Sequence, residues 1–297
     1  MTAPRPILPK TYWLISRSTA EGQCLLRPDE PSNQLFQYAV AEAAQRYKIE
    51  LLAVTVMSSQ YDAVVYDTDG RLPFFLAHFH KLLAHLINAR EGRDGPFWDA
   101  KEPTRVELVD MEDVLEAVMG TLATPVQAHL VERAQDWPGS LTRSMWGGPP
   151  EKVERPELYF GAKTGMPGVA EFKTSVPPTF RGSKGAWAAL VERRLDARER
   201  AIGLEREAAR IKCVGATRAL TSAATPSAAH RAPARGFVPV LNAATAELRL
   251  RAAKALKRFR WLYRRAFEAF RSGSRDAIFP PGTFQMRHRC GVVCAQN

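Results

Sequence analysis

Cysteine is scarce in this chain: four residues in 297, Cys24, Cys213, Cys290 and Cys294, too few and too scattered for a disulfide framework. Reduced thiols are the expectation. His288, Cys290 and Cys294 do cluster near the C-terminus. A structural zinc site, however, wants four ligands, generally in two paired motifs, so a tail with free thiols is the plainer reading. Also missing is any run of about 18 apolar residues, which argues against a helical membrane span. Residues 1–10 hold Pro, Arg and Lys but no apolar stretch of the secretory kind, and a cytoplasmic location is expected.

Acidic residues are short in one half only. Residues 1–150 hold 14 Lys and Arg against 19 Asp and Glu, a net charge of −5, whereas residues 151–297 hold 28 against 12, a net charge of +16. The basic character of the whole, +11, therefore belongs to the C-terminal half. Such asymmetry points to a polyanionic partner, because each Lys or Arg placed at a phosphate gains by releasing counterions. Nucleic acid is the natural candidate.

What is present is an ordinary globular composition, 45% hydrophobic and 25% charged, with readable periodicities. Thr11 to Arg17 is β-branched and aromatic and reads as a strand. After Pro28 and Pro31 an apolar stripe at Leu35, Phe36, Ala39, Val40 and Ala43 predicts a helix to about Tyr47, capped by Ser32 or Asn33. Residues 51–57 and 61–66 read as two strands, the second closed by the turn signal Asp67-Thr68-Asp69-Gly70. Pro73 opens a second helix that fades at Gly92 and Gly95. Arg105 to Val109 reads as a strand, residues 111–122 as a helix broken before Pro125, and residues 126–134 as a short helical segment. The pattern predicts an α+β fold with a mostly antiparallel sheet packed with helices over residues 1–150.

Residues 151–297 read as a basic, largely helical extension. Residues 149–181 are rich in Gly and Pro and are expected to be irregular; residues 186–211 form a long charged helix with few large apolar side chains; residues 225–239 are a Pro/Ala-rich linker. The last strong element, Thr245 to Arg271, carries the apolar stripe Leu248, Ala252, Ala255, Phe259, Leu262, Ala266 and Phe270. Arg251, Lys254, Lys257, Arg258, Arg260, Arg264 and Arg265 crowd its remaining surface, offset by Glu247 and Glu268 and interleaved with Trp261 and Tyr263. A charged helix is usually a solvated face, but aromatic and Arg side chains together can stack bases and contact phosphates. These seven cations are the candidate nucleic-acid ligands.

The segment Leu51 to Asp69 resembles the second conserved block of the REP-associated tyrosine transposases, members of the single-tyrosine HUH transposase superfamily. In that family an apolar strand leads into Val-Met-Ser-Asn-His-Tyr-His, then more strand and a Gly-Arg-Leu-Pro turn. Here the block reads Val56-Met57-Ser58-Ser59-Gln60-Tyr61-Asp62, followed by Gly70-Arg71-Leu72-Pro73. Residues 11–17 with 25–29 resemble the family's first strand and loop, and Phe97-Trp98-Asp99 the segment before its last strand. Residues 121–126 resemble its nucleophile helix and residues 278–283 its C-terminal signature. The resemblance implies a ferredoxin-like HUH core and a DNA partner, single-stranded or hairpin; a homodimer is left open.

It also implies a chemistry that this chain lacks the residues for. Two His at i and i+2 of a strand share one face and can hold Mg²⁺ or Mn²⁺, which polarises a phosphodiester. A Tyr on a facing helix then attacks phosphorus and keeps a covalent 5′ phosphotyrosine while the 3′-OH leaves. Matched by position, the two His become Gln60 and Asp62, the Tyr becomes Gly120, and an Asn one helical turn on becomes Thr124. Gln60 offers only a neutral carbonyl and Gly120 no side chain, so no cofactor is expected and Asp62 alone is left as a loose Mg²⁺ ligand. Among substitutes, Tyr61 alternates away from Gln60 and Asp62 and reads as core, while Tyr66 shares their face only if the strand stays in register. His78, His80 and His85 read as helix surface or core edge. The expectation is a transposase-like DNA-binding protein without cleavage activity. The alternatives are an active single-strand transposase or endonuclease using displaced residues, and a decaying pseudogene product without a role.

Overall fold

Thr11–Ser18 (β1) sets Trp13 and Ile15 against Tyr12 and Leu14, and a pleated strand turns the two pairs to opposite faces. The computed structural model describes residues 4–143, 146, 148–157, 160, 165–221 and 240–296. After β1 come α1 (Glu30–Tyr47), β2 (Ile49–Met57), β3 (Gln60–Asp67), α2 (Leu72–Glu91) and β4 (Thr104–Leu108). β3 and β4 flank β1, β2 lies outside β3, and all three pairings are antiparallel, the split β-α-β arrangement of a ferredoxin-like core. The expected α+β class and antiparallel sheet are thus present. Among the described residues no helix is long and apolar enough to cross a membrane.

Both faces of the sheet are covered. On one, Trp13, Ile15, Tyr61 and Val65 pack with Phe36 of α1 and Phe79 and Leu83 of α2. On the other, Tyr12, Leu52, Val64 and Tyr66 pack against α3 (Met111–Leu122) and α5 (Lys184–Ala208). Asp110 caps α3 through the Asp113 N–H, and the Asp113 carboxylate accepts weakly from the Asp110 N–H in return. α5 contributes Trp187, Val191 and Leu195, an i, i+4, i+8 stripe that is fully buried. Val153, Ala170 and Phe172 join the opposite core, so the packing of the sheet runs on past residue 150.

Several local expectations need correction. α1 is capped by Asp29, whose carboxylate accepts from the Ser32 N–H at 2.8 Å, rather than by Ser32 or Asn33; Pro31 fits inside the first turn, where its missing N–H costs nothing. The segment read as helical over 126–134 is a single turn, α4 (Thr124–Gln127), started by Pro125 and followed by turns, with His129 at φ 54°. The stretch 149–181 contains a hairpin of β5 (Glu151–Glu154) and β6 (Val169–Phe172), held to the α1 side of the core by its alternate residues Val153, Ala170 and Phe172. The 225–239 linker lies outside the described residues.

The C-terminal part adds α6 (Ala216–Thr221), the short β7 (Leu241–Asn242) paired parallel with β4, α7 (Ala246–Arg271) and α8 (Gln285–Cys290). Ala266, Ala277, Phe279 and Val292 form a small third core. Gly282 meets the N-terminal arm: its carbonyl accepts from the Ile7 N–H at 2.9 Å, its φ is +82°, and a Cβ there would lie 3.0 Å from Pro6 and Leu8 side chains, so only glycine suits the contact. The His288 ring packs on Phe74 and Phe284, while the Cys290 sulfur lies 4.0 Å from that of Met286.

Candidate nucleic-acid interface

Register brings together what the sequence spacing alone could only half assemble. Asp62 stands opposite Ser16 of β1 and Thr55 of β2, and residues directly opposed across strands share a face. The Ser16 hydroxyl donates to Asp62 Oδ1, and Gln60 Nε2 donates to Asp62 Oδ2 at 3.1 Å. Thr55 Oγ1 donates to the Thr121 carbonyl at 2.7 Å and ties the end of α3 above the same strands. Gly120 directly precedes the tethered Thr121, and Thr124 spends its hydroxyl on the Gly120 carbonyl at 3.0 Å.

This set does not fit a divalent cation. Its one carboxylate is 6% exposed and already accepts from a hydroxyl and an amide, and Gln60 turns its NH₂ rather than its carbonyl toward it. Among the described residues no group of three His, Cys, Asp or Glu is arranged to hold a metal. At Gly120 a Cβ would meet nothing within 4 Å, so the space is there without a side chain to act as nucleophile.

The opposite face holds a polar chain that sequence reading missed. Tyr61 Oη lies 2.6 Å from His80 Nε2, and Arg17 Nη1 lies 2.6 Å from His80 Nδ1. A guanidinium only donates, so Nδ1 is the acceptor and Nε2 carries the imidazole proton toward Tyr61. Burial, with Arg17 and Arg105 nearby, holds His80 well below the usual imidazole range, and burial pushes the Tyr61 phenol up. Tyr61 is 1% exposed, which removes it as a nucleophile. His80 is buried rather than a surface or core-edge residue; its partner Arg17 is 63 positions away, and no local pattern signals it. His78 bonds Glu42 at 2.6 Å, His85 is exposed, and Tyr66, on the Asp62 face, packs on Tyr12 with tilted rings 4.7 Å apart at their centroids.

α7 is different in kind. Only Phe259 and Ala266 of its 26 residues are buried. Because i±3 and i±4 positions share a helical face, Lys257, Arg258, Arg264 and Arg265 surround Trp261, and Lys254 lies one further turn along. All six are exposed, Trp261 by 56%. Arg265 lies over the Trp261 ring, 4.8 Å from its centroid. Arg251 is exposed toward the edge of this face, whereas Arg260 is half-buried and turns its Nε to the Pro4 carbonyl at 3.4 Å. Among the described residues none of these cations forms an ion pair, whereas α5 is laced with them. An exposed indole ringed by unpaired cations can stack a base and contact its phosphates together.

The chain matches no protein-family model and no curated protein. Among solved structures it is similar to a REP-associated tyrosine transposase bound to a REP hairpin, at 16% identity and a TM-score of 0.42, over 57% of this chain and 96% of that one. It is also similar to a crystal structure, at 1.90 Å resolution, of a protein from Deinococcus radiodurans described as a transposase; identity is 15% and the TM-score 0.29, over 36% of this chain and 85% of that one. Neither supplies a residue role for this chain.

Proposed function

We propose that this chain binds DNA, single-stranded or folded as a hairpin, along α7 and does not cut it. The observation that carries the reading is Trp261, exposed at the centre of a face whose cations have no carboxylate partners among the described residues. A large indole left in water is not accounted for by packing, and its neighbours suit a phosphate backbone. Unpaired bases offer the π-faces that such a platform needs, which favours single strands and hairpin loops over continuous duplex. The absence of cleavage is inferred from Gln60, Asp62, Gly120 and Thr124, which supply neither a cation site nor a nucleophile.

The test is a titration of a fluorescent hairpin and a matched duplex at several salt concentrations with Mn²⁺ present, followed by a denaturing gel of the same samples. Binding that prefers the hairpin and weakens steeply with salt, with intact DNA on the gel, is the expected result. A cleaved band, or protein covalently joined to DNA, would overturn the inactive reading; equal affinity for the duplex would overturn the preference for unpaired strands.

A further inference from the structure

Three arginines from distant parts of the chain meet where the N-terminal arm passes between β4 and α7. Arg5 Nη1 donates to the Arg105 carbonyl at 2.7 Å, and Arg260 Nε to the Pro4 carbonyl at 3.4 Å. Both bonds go to main chain, so they place the Arg5 and Arg260 guanidinium groups without cancelling their charge. All three side chains are half-buried, and among the described residues none is in an ion pair. Burial disfavours the charge on Arg5 and Arg105, and the charges of Arg105 and Arg260 add to this at Arg5. The carboxylate that acts on Arg105 is that of Glu102, which is exposed; Glu107, two residues further along β4, is itself pushed toward its neutral form by burial. Arg17 continues the cluster inward: it lies over Trp98 at 5.0 Å, and its Nε is buried without a partner.

Gathering like charges in a half-desolvated place costs free energy unless an anion joins them. Guanidinium forks match phosphate oxygens two at a time, and a dianion or phosphodiester would supply the missing counter-charge. We infer that Arg5, Arg105 and Arg260 form a phosphate seat beside the middle of α7, holding a backbone phosphate of the strand whose base stacks on Trp261. Arg260 joins the two, since it directly precedes Trp261 and turns inward where that indole turns out. The inference rests on the nucleic-acid reading above for the source of the phosphate, but the seat itself does not.

Arg105→Gln is the informative variant, because among the described residues the Arg105 side chain makes no hydrogen bond that the change would break. Hairpin affinity is measured against KCl concentration for the wild type, R105Q, R105K and W261A, with thermal melting as the check on folding. R105Q is expected to bind about tenfold or more weakly and to lose roughly 0.7–0.9 from the slope of log K against log salt, one phosphate contact. R105K keeps the slope, and W261A loses affinity with the slope unchanged. A second arm melts the free protein in inorganic phosphate and in KCl of equal ionic strength. Phosphate is expected to raise the Tm of the wild type and not that of R105Q. If R105Q folds and matches the wild type in both arms, the seat is overturned while DNA binding by α7 stands. If the wild type binds no hairpin but phosphate stabilises it through Arg105, the DNA reading fails and the seat survives as a small-anion site. Failure of the wild type in both arms overturns both.

Discussion

α5 and α7 are of nearly equal length, 25 and 26 residues, and both are crowded with arginine. α5 carries six Lys and Arg against five Asp and Glu, and it also meets the acidic side of α3. Arg194 reaches Glu112, Arg198 lies 3.0 Å from Glu116, and Arg143 from the following loop grips Glu192 at 2.8 Å and the buried Glu199. α7 carries nine against two and has no such partner among the described residues. Exposed pairs of the α5 kind contribute little stability each, but they cancel the field that a polyanion would feel. Basic content alone therefore does not mark a nucleic-acid surface. The proposed reading rests instead on an uncompensated surplus beside an exposed aromatic.

The comparison can be broken most directly at the two tryptophans. Trp187→Ala, which empties a fully buried position of α5, is expected to cost about 3–5 kcal/mol in denaturant unfolding, against less than about 0.5 kcal/mol for Trp261→Ala. Equal costs would mean that α7 is core and that its indole is packed. The next effect belongs to binding: neutralising Lys257, Arg258, Arg264 and Arg265 together to Gln should lower the salt slope by about 3 with little change in Tm, whereas neutralising Arg193, Arg194, Arg198 and Arg200 of α5 should leave the slope nearly intact. Third, Trp261→Ala should weaken hairpin binding by about 1–3 kcal/mol at fixed salt.

Acid separates the two regions further. The folded value of His80 lies well below the ordinary one near 6.5, so between the two the unfolded chain binds more protons and stability rises with pH. The contribution is complete above about pH 6.5 and is lost as pH falls below it, by up to about 1.4 kcal/mol per unit. Denaturation midpoints from pH 7.5 to 5.5 should show that slope in the wild type and a flatter one in His80→Gln. The smallest effect lies in α3: Gly120→Ala, where a Cβ meets nothing within 4 Å, should stabilise by about 0.5–1 kcal/mol. A loss of stability there would show that the position needs glycine.

Much of the sheet was legible. Residues 51–57 and 61–66 with their turn became β2 and β3, and the helix read over 111–122 has those bounds in the structure, because strong periodicity and capping residues act within a few positions. The β5–β6 hairpin was not: Glu151–Glu154 is four residues with one apolar side chain, and what holds it is α1, more than a hundred positions earlier. The candidate sites divide in the same way. Period two puts Gln60 and Asp62 on one face, but Ser16 and Thr55 join them only through strand register. The exposed face of α7 could be drawn from spacing, yet Arg260, counted with its neighbours, is set apart by its bond to Pro4.

By itself the sequence determined the order and kind of the main elements, the alternation that splits β1 and β3 into two faces, and the surplus of positive charge in α7. These depend on residues a few positions apart or on composition, both of which survive without a fold. Only the tertiary structure decided which charges meet a partner, that His80 is buried between Arg17 and Tyr61, and that Arg5 and Arg105 come close to Arg260 near the middle of α7. Those outcomes depend on through-space distance between residues far apart in the chain, and both Coulomb energy and desolvation are functions of that distance and burial rather than of sequence position.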